Sequence, residues 1–142
     1  MKIKPKYFDD FRVGESFETE PNFVSKDEII NFASKYDPQA FHLDEEAAKS
    51  GPFGQLTSSG FMTLGKSFTQ IFNTDVFNGS SMGAWGLDEL RWTKPVYPGD
   101  TLKTKVEVLE KKLSSKLFLS NLSLTSAIEP PIAVPAFDIK IS

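Results

Sequence analysis

Apolar residues recur at helical spacing early in the chain and alternate late in it. Residues 7–24 read as a lead-in and a first strand, with Val13-Gly14-Glu15 as a turn before a strand over residues 16–24. Ser25-Lys26-Asp27-Glu28 has the Ser-x-x-Glu form of a capping box. Ile29, Phe32, Ala33 and Tyr36 follow at helical spacing and define one apolar face. Pro38 ends this helix, because the residue before a proline is pushed out of the helical region. Asp37 is therefore expected at the helix end in an extended conformation. A short helix is expected over residues 44–49, with Asp44 as N-cap and two glutamates in its first turn. Gly51-Pro52-Phe53-Gly54 breaks it.

The next helix is expected to span residues 59–73. Phe61, Leu64, Gly65, Phe68 and Phe72 form one stripe with Met62 and Ile71 beside it, and Lys66 is its one charge, a pattern that predicts burial on most sides. Gly65 lowers helix stability by roughly 1 kcal/mol relative to alanine, which predicts close approach of another element there. After a Gly/Asn/Ser-rich loop around residues 77–82, strand signals dominate: residues 85–92 with imperfect alternation, then 101–110, 117–126 and 133–141. Leu102, Thr104, Val106 and Val108 share one face, and Phe137, Ile139 and Ile141 share another. Pro95-Val96-Tyr97-Pro98-Gly99-Asp100 reads as a stiff turn in which Asp100 is structural, and Glu129-Pro130-Pro131 joins the last two strands. Helices first and consecutive strands afterwards indicate an α+β fold with an antiparallel sheet.

Length and composition narrow the function. The 142 residues fit one domain, residues 1–142, large enough for a respectable core. A formal charge of −3 without a basic cluster argues against nucleic acid as a partner. No apolar run is long enough to span a membrane, and residues 1–7 carry lysines without the apolar core of a secretory signal. The expected location is cytoplasmic. With no cysteine and one histidine, thiolate chemistry and a multi-histidine metal site within one chain are both ruled out. Most of the 13 phenylalanines are expected in the core.

The chemistry concentrates between Tyr36 and Phe61. The sole histidine, His42, lies five residues after Asp37, and Ser58-Ser59-Gly60 opens the apolar helix. A carboxylate and an imidazole near one water can supply both a base and an acid, and a partly apolar cleft is expected to move their pKa values toward neutrality. On spacing alone, the plainer reading makes Asp37 a turn cap and His42 a structural histidine. Ser58 and Ser59 read as N-caps rather than nucleophiles, since neither has a marked partner base.

These residues, Asp37-Pro38-Gln39-Ala40-Phe41-His42-Leu43-Asp44, then Ser59-Gly60, then Pro95-Val96-Tyr97-Pro98-Gly99-Asp100-Thr101-Leu102, resemble the MaoC-like dehydratases, a family that includes the (R)-specific enoyl-CoA hydratases. The resemblance implies a hot-dog fold, a curled antiparallel sheet around one long central helix. It implies hydration of a trans-2-enoyl thioester, or the reverse dehydration, with Asp37 and His42 holding the water and Gly60 donating its N–H to the thioester oxygen. Glycine at 60 that merely permits tight packing is an equal alternative. Phe41, Phe53, Leu56 and Phe68 are the candidates to line an acyl tunnel, although core packing is the better explanation for any single one. Arg91 and Lys94 are candidate contacts for coenzyme A. No metal or redox cofactor is implied; coenzyme A or an acyl carrier would be the handle of the substrate, and a homodimer or higher homo-oligomer is expected. The Gly-Asp-x-Asn-Pro of many relatives is replaced here by Tyr36-Asp37-Pro38-Gln39-Ala40, and no glycine occurs between Ser114 and Ser142, so the acyl group stays open. Two other classes remain: a binding module without chemistry, and a hot-dog thioesterase, which usually carries an acidic residue on the central helix where residues 61–72 carry none.

Overall fold

A computed structural model describes residues 1–81, 83, 86–111, 122–129 and 134–141, the last two segments by their backbone alone. Among the described residues, six strands form one antiparallel sheet: β1 (Ser16–Glu18), β2 (Asn22–Phe23), β3 (Leu87–Trp92), β4 (Thr101–Val108), β5 (Leu122–Glu129) and β6 (Val134–Ile141). The order is β1-β4-β5-β6-β3, with β2 also pairing with β4. The described residues between β2 and β3 form α1 (Lys26–Tyr36), α2 (Ala40–Leu43), α3 (Glu45–Lys49) and α4 (Gly60–Phe72). This is the α+β hot-dog arrangement, with α4 as the long central helix against the curled sheet.

β4 is the spine of the sheet. Leu102, Thr104, Val106 and Val108 are buried as their alternation predicts, and β4 pairs residue by residue with β5 from Thr101↔Glu129 to Val108↔Leu122. The expected strand over 117–126 is thus seen from Leu122 and continues to Glu129; residues 117–121, Pro130, Pro131 and Ala133 lie outside the described residues. So does the expected Phe137/Ile139/Ile141 face, since only the backbone of β6 is described.

Two cores meet at α4. Leu64 and Ile71 pack with Phe11, Val76, Val106 and Val108, while Met62 packs with Val24, Ile29, Leu56, Val96 and Leu102. Burying each such side chain stabilises the fold by roughly 1.5–3 kcal/mol.

Three expectations need correction. The strand over 16–24 is two strands, because Pro21 has no N–H to extend a ladder. The gap is bridged by Gln70 of α4, whose Nε2 donates to the carbonyls of Glu20 (2.7 Å) and Leu102 (2.9 Å) while its Oε1 accepts from Thr104 Oγ1 (3.0 Å). Second, the buried face of α4 is Met62, Thr63, Leu64, Ser67, Gln70 and Ile71, whereas Phe61 and Phe72 are exposed and, among the described residues, nothing lies within 4 Å of a Cβ built at Gly65. Polar residues turn inward because they bond to the backbone, as Ser67 does to Thr63 and Gln70 to the sheet. Third, Tyr36 of the α1 face is exposed, its ring tilted against Phe32 rather than buried with Ile29 and Ala33.

The turn at residues 95–100 is as expected. Asp100 Oδ2 accepts from the Tyr97 N–H at 2.8 Å, and Gly99 takes a φ of 95° that suits glycine. Among the described residues, no helix is long and apolar enough to cross a membrane.

Candidate active site

Ser25 and Glu28 form the capping box at the start of α1, and Pro38 stops the helix one residue after Asp37 begins to leave it. Asp37 still donates its N–H to Ala33, but its backbone sits at φ −152°, ψ 68°, rather than in the fully extended conformation. The chain then makes α2, a single helical turn not foreseen from the sequence, which carries His42 inward. Asp44 caps α3 through the Ala47 N–H, as its position predicts.

The segment before α4 is stitched to α2 at two points. The Thr57 N–H donates to the Phe41 carbonyl at 3.1 Å, and the Thr57 carbonyl lies 2.6 Å from His42 Nδ1. A carbonyl only accepts, so Nδ1 carries a proton. The other ring nitrogen, Nε2, faces Asp37 Oδ2 at 3.4 Å. Both side chains are largely buried, at 7% and 17% exposure. The Phe41 ring braces the imidazole edge-on at 4.4 Å and is itself braced by Phe53 at 5.6 Å.

Burial alone pushes the Asp37 carboxyl up, but a hydrogen bond from Gln39 Nε2 to Oδ1 (2.7 Å), the Ser59 hydroxyl and the charge of His42 together hold it below the ordinary aspartate value. The expected drift toward neutrality is therefore reversed at Asp37, because donors to the ionised form outweigh desolvation. Ser59 occupies the N-cap position of α4, yet its hydroxyl caps no N–H and makes no hydrogen bond of ordinary geometry; it sits beside the carboxylate instead. Ser58 Oγ is turned to the Ser59 carbonyl at 3.1 Å, so neither serine is the side-chain cap that the sequence suggested. The N–H groups of the first turn of α4 have no partner within the helix, and Gly60 and Phe61 of that turn line a cavity.

That cavity, of about 520 Å³, brings together Asp37, His42, Gly60, Phe41 and Phe53. Two expected tunnel residues are elsewhere. Leu56 is buried in the core with Val24 and Leu102, because the segment's hydrogen bonds aim Thr57 and Ser58, not Leu56, at the cavity. Phe68 lies against the other core and Phe72, two helical turns from Gly60. Lys94 stands exposed at the cavity wall, and Arg91 is not part of it. Gln39, Thr57 and Trp92 were missed. Gln39 was legible between Asp37 and His42, while Trp92 comes from a distant strand and left no local signal. Among the described residues, no three His, Asp or Glu side chains converge as a metal site requires.

The MaoC-like domain family model matches residues 10–125. The chain belongs to the MaoC-like domain family. Its relatives include the uncharacterized protein YdeM of Bacillus subtilis (strain 168), 39% identical over 104 residues that cover 73% of this chain and 74% of that protein. The MaoC-like dehydratase of Rhodospirillum rubrum superposes with a TM-score of 0.75 at 28% identity, covering 96% of this chain and 94% of that one. The (R)-hydratase PhaJ1 of Pseudomonas aeruginosa shares the fold of this MaoC-like domain, with a TM-score of 0.67 at 22% identity over 95% of this chain and 82% of that one.

Proposed function

We propose that this MaoC-like domain adds water across the double bond of a trans-2-enoyl thioester to give the (R)-3-hydroxyacyl thioester, and catalyses the reverse. The observation that carries this reading is the pair of facing acceptors, His42 Nε2 and Asp37 Oδ2, 3.4 Å apart in one cavity with Gly60 at the head of α4. With a proton held on Nδ1, the neutral form of the imidazole presents its Nε2 lone pair to the carboxylate. Two such acceptors repel unless a proton donor bonds to both, and a water molecule beside the pair supplies two O–H groups.

Attack of that water on the β-carbon forms the C–O bond while one of its protons passes to the pair. The double-bond electrons move toward the thioester, whose oxygen takes up negative charge. The Gly60 N–H and the dipole of α4 stabilise that charge. Return of a proton from the pair to the α-carbon completes the addition of H and OH, without any change that calls for a redox cofactor. Coenzyme A or an acyl carrier is the handle of the substrate. The exposed Phe61 and Phe72 of α4 and the edge position of β3 suit a homodimer.

The test is the ultraviolet absorbance of the conjugated thioester in crotonyl-CoA, which falls as water adds. Loss of absorbance without release of free thiol supports hydration; thiol release would make the protein a thioesterase. Binding of a panel of enoyl thioesters with no turnover of any would make it a binding module.

A further inference from the structure

We propose that Trp92 is a positioning residue for the thioester end of the substrate, its indole holding that group against the first turn of α4 opposite Asp37 and His42. This deepens the hydratase reading and rests on it.

The edge strand β3 does not run regularly into the site. Leu87 and Asp88 pair with Ile141 and Lys140, and Arg91 and Trp92 with Asp138 and Phe137, so Glu89 and Leu90 together face Ile139 alone. This is a β-bulge, and Glu89 within it takes a φ of 55°, a left-handed conformation unfavourable for a residue with a Cβ. Leu90 of the bulge packs against the core that holds Leu64, and Trp92, two residues on and past the bulge, shares its face. The indole thereby lands on Gly60. A Cβ built there would lie 2.6, 2.8 and 2.9 Å from three of its ring atoms.

A core side chain would not need this arrangement, since Trp92 remains 46% exposed and touches Phe61 edge-on at 5.8 Å. It lines the cavity with Asp37 and His42. Bulges beside active sites re-aim single side chains, and a strained one is retained where the surroundings hold it in place. A flat ring over the first residue of α4 matches the planar enoyl thioester. By excluding water there it strengthens the bond from the Gly60 N–H to the developing oxyanion.

The experiment has two arms. The chain has two tryptophans, so Trp85→Phe leaves Trp92 as the sole emitter. Titration with butyryl-CoA, which has no double bond to hydrate, is expected to give a saturable change in its emission. In crotonyl-CoA hydration, Trp92→Ala is expected to raise KM by about tenfold and lower kcat, with Trp92→Phe recovering most of both and the pH profile unmoved. Calorimetric binding of butyryl-CoA without an emission change overturns the proposal, as does a folded Trp92→Ala with wild-type KM and kcat. Should Trp92→Ala not fold, the titration and Trp92→Phe decide. An emission change without hydration of any enoyl thioester would uphold the contact and sink the hydratase reading, and no binding at all would sink both.

Discussion

The Nδ1 of His42 lies 2.6 Å from the carbonyl oxygen of Thr57. Because a carbonyl cannot donate, this one contact fixes which end of the imidazole is free. The neutral ring must carry its proton on Nδ1 and leave Nε2 as the acceptor toward Asp37. The protein has a single histidine, so nitrogen-detected NMR reads the tautomer without assignment. The spectrum is expected to show Nδ1 protonated and Nε2 bare; a neutral ring with its proton on Nε2 would contradict the proposed handling of water.

Removing either partner of the pair tests the chemistry directly. Asp37→Asn keeps the shape of the side chain and loses its charge, and His42→Ala removes the acceptor. Each is expected to lower kcat by roughly 10²-fold or more, with far-ultraviolet circular dichroism unchanged. Wild-type turnover in both variants would return Asp37 and His42 to structural roles.

The low pKa of Asp37 gives a pH signature. Gln39 Nε2 bonds the ionised carboxylate at 2.7 Å and favours that form. Gln39→Ala removes this donor, so the Asp37 pKa rises, and the acid limb of kcat/KM should move to higher pH in crotonyl-CoA hydration. The linkage to stability has the matching sign. A carboxyl whose native pKa is depressed contributes stability that is complete above its ordinary value, 3.8 for Asp37, and lost as pH falls through the lower native value. Gln39→Ala should therefore be less stable than wild type above pH 3.8, with the difference closing as pH falls through the lower native value. An acid limb that stays in place would show that Asp37 does not set it.

Local signals carried much of this molecule into view. The Ser25–Glu28 box, the Pro38 stop, the Asp44 cap and the alternation of β4 each depend on neighbours in the chain, and each is found where the spacing places it. The grouping of Asp37, His42 and Gly60 was legible through motif spacing, as were Phe41 and Phe53. Leu56 and Phe68 were misplaced because an apolar residue near a site looks alike whether it faces the cavity or the core; only the hydrogen bonds of Thr57 and the rotation of α4 decide. Gln70 and Trp92 could not be read at all. Their roles depend on partners on distant strands, Glu20 and Leu102 for one and a bulge in β3 for the other.

Gln70 is where those distant contacts should be most costly to lose. It is buried at 4% exposure, with both amide N–H groups directed at carbonyls and its oxygen receiving Thr104 Oγ1. Gln70→Leu is close in size but leaves three polar groups buried in part without partners. The expected loss is about 1–3 kcal/mol, read as a lower urea midpoint with an unchanged slope. Gln70→Glu sharpens the test. Its ionised carboxylate keeps an acceptor for Thr104 but turns an oxygen toward the two carbonyls, so at neutral pH it should be at least as destabilising as leucine. Protonating that carboxyl restores one donor, and the gap to wild type should narrow at acid pH. A Gln70→Leu variant as stable as wild type would mean that the break between β1 and β2 is held by the Thr19–Thr104 hydrogen bonds without help from α4.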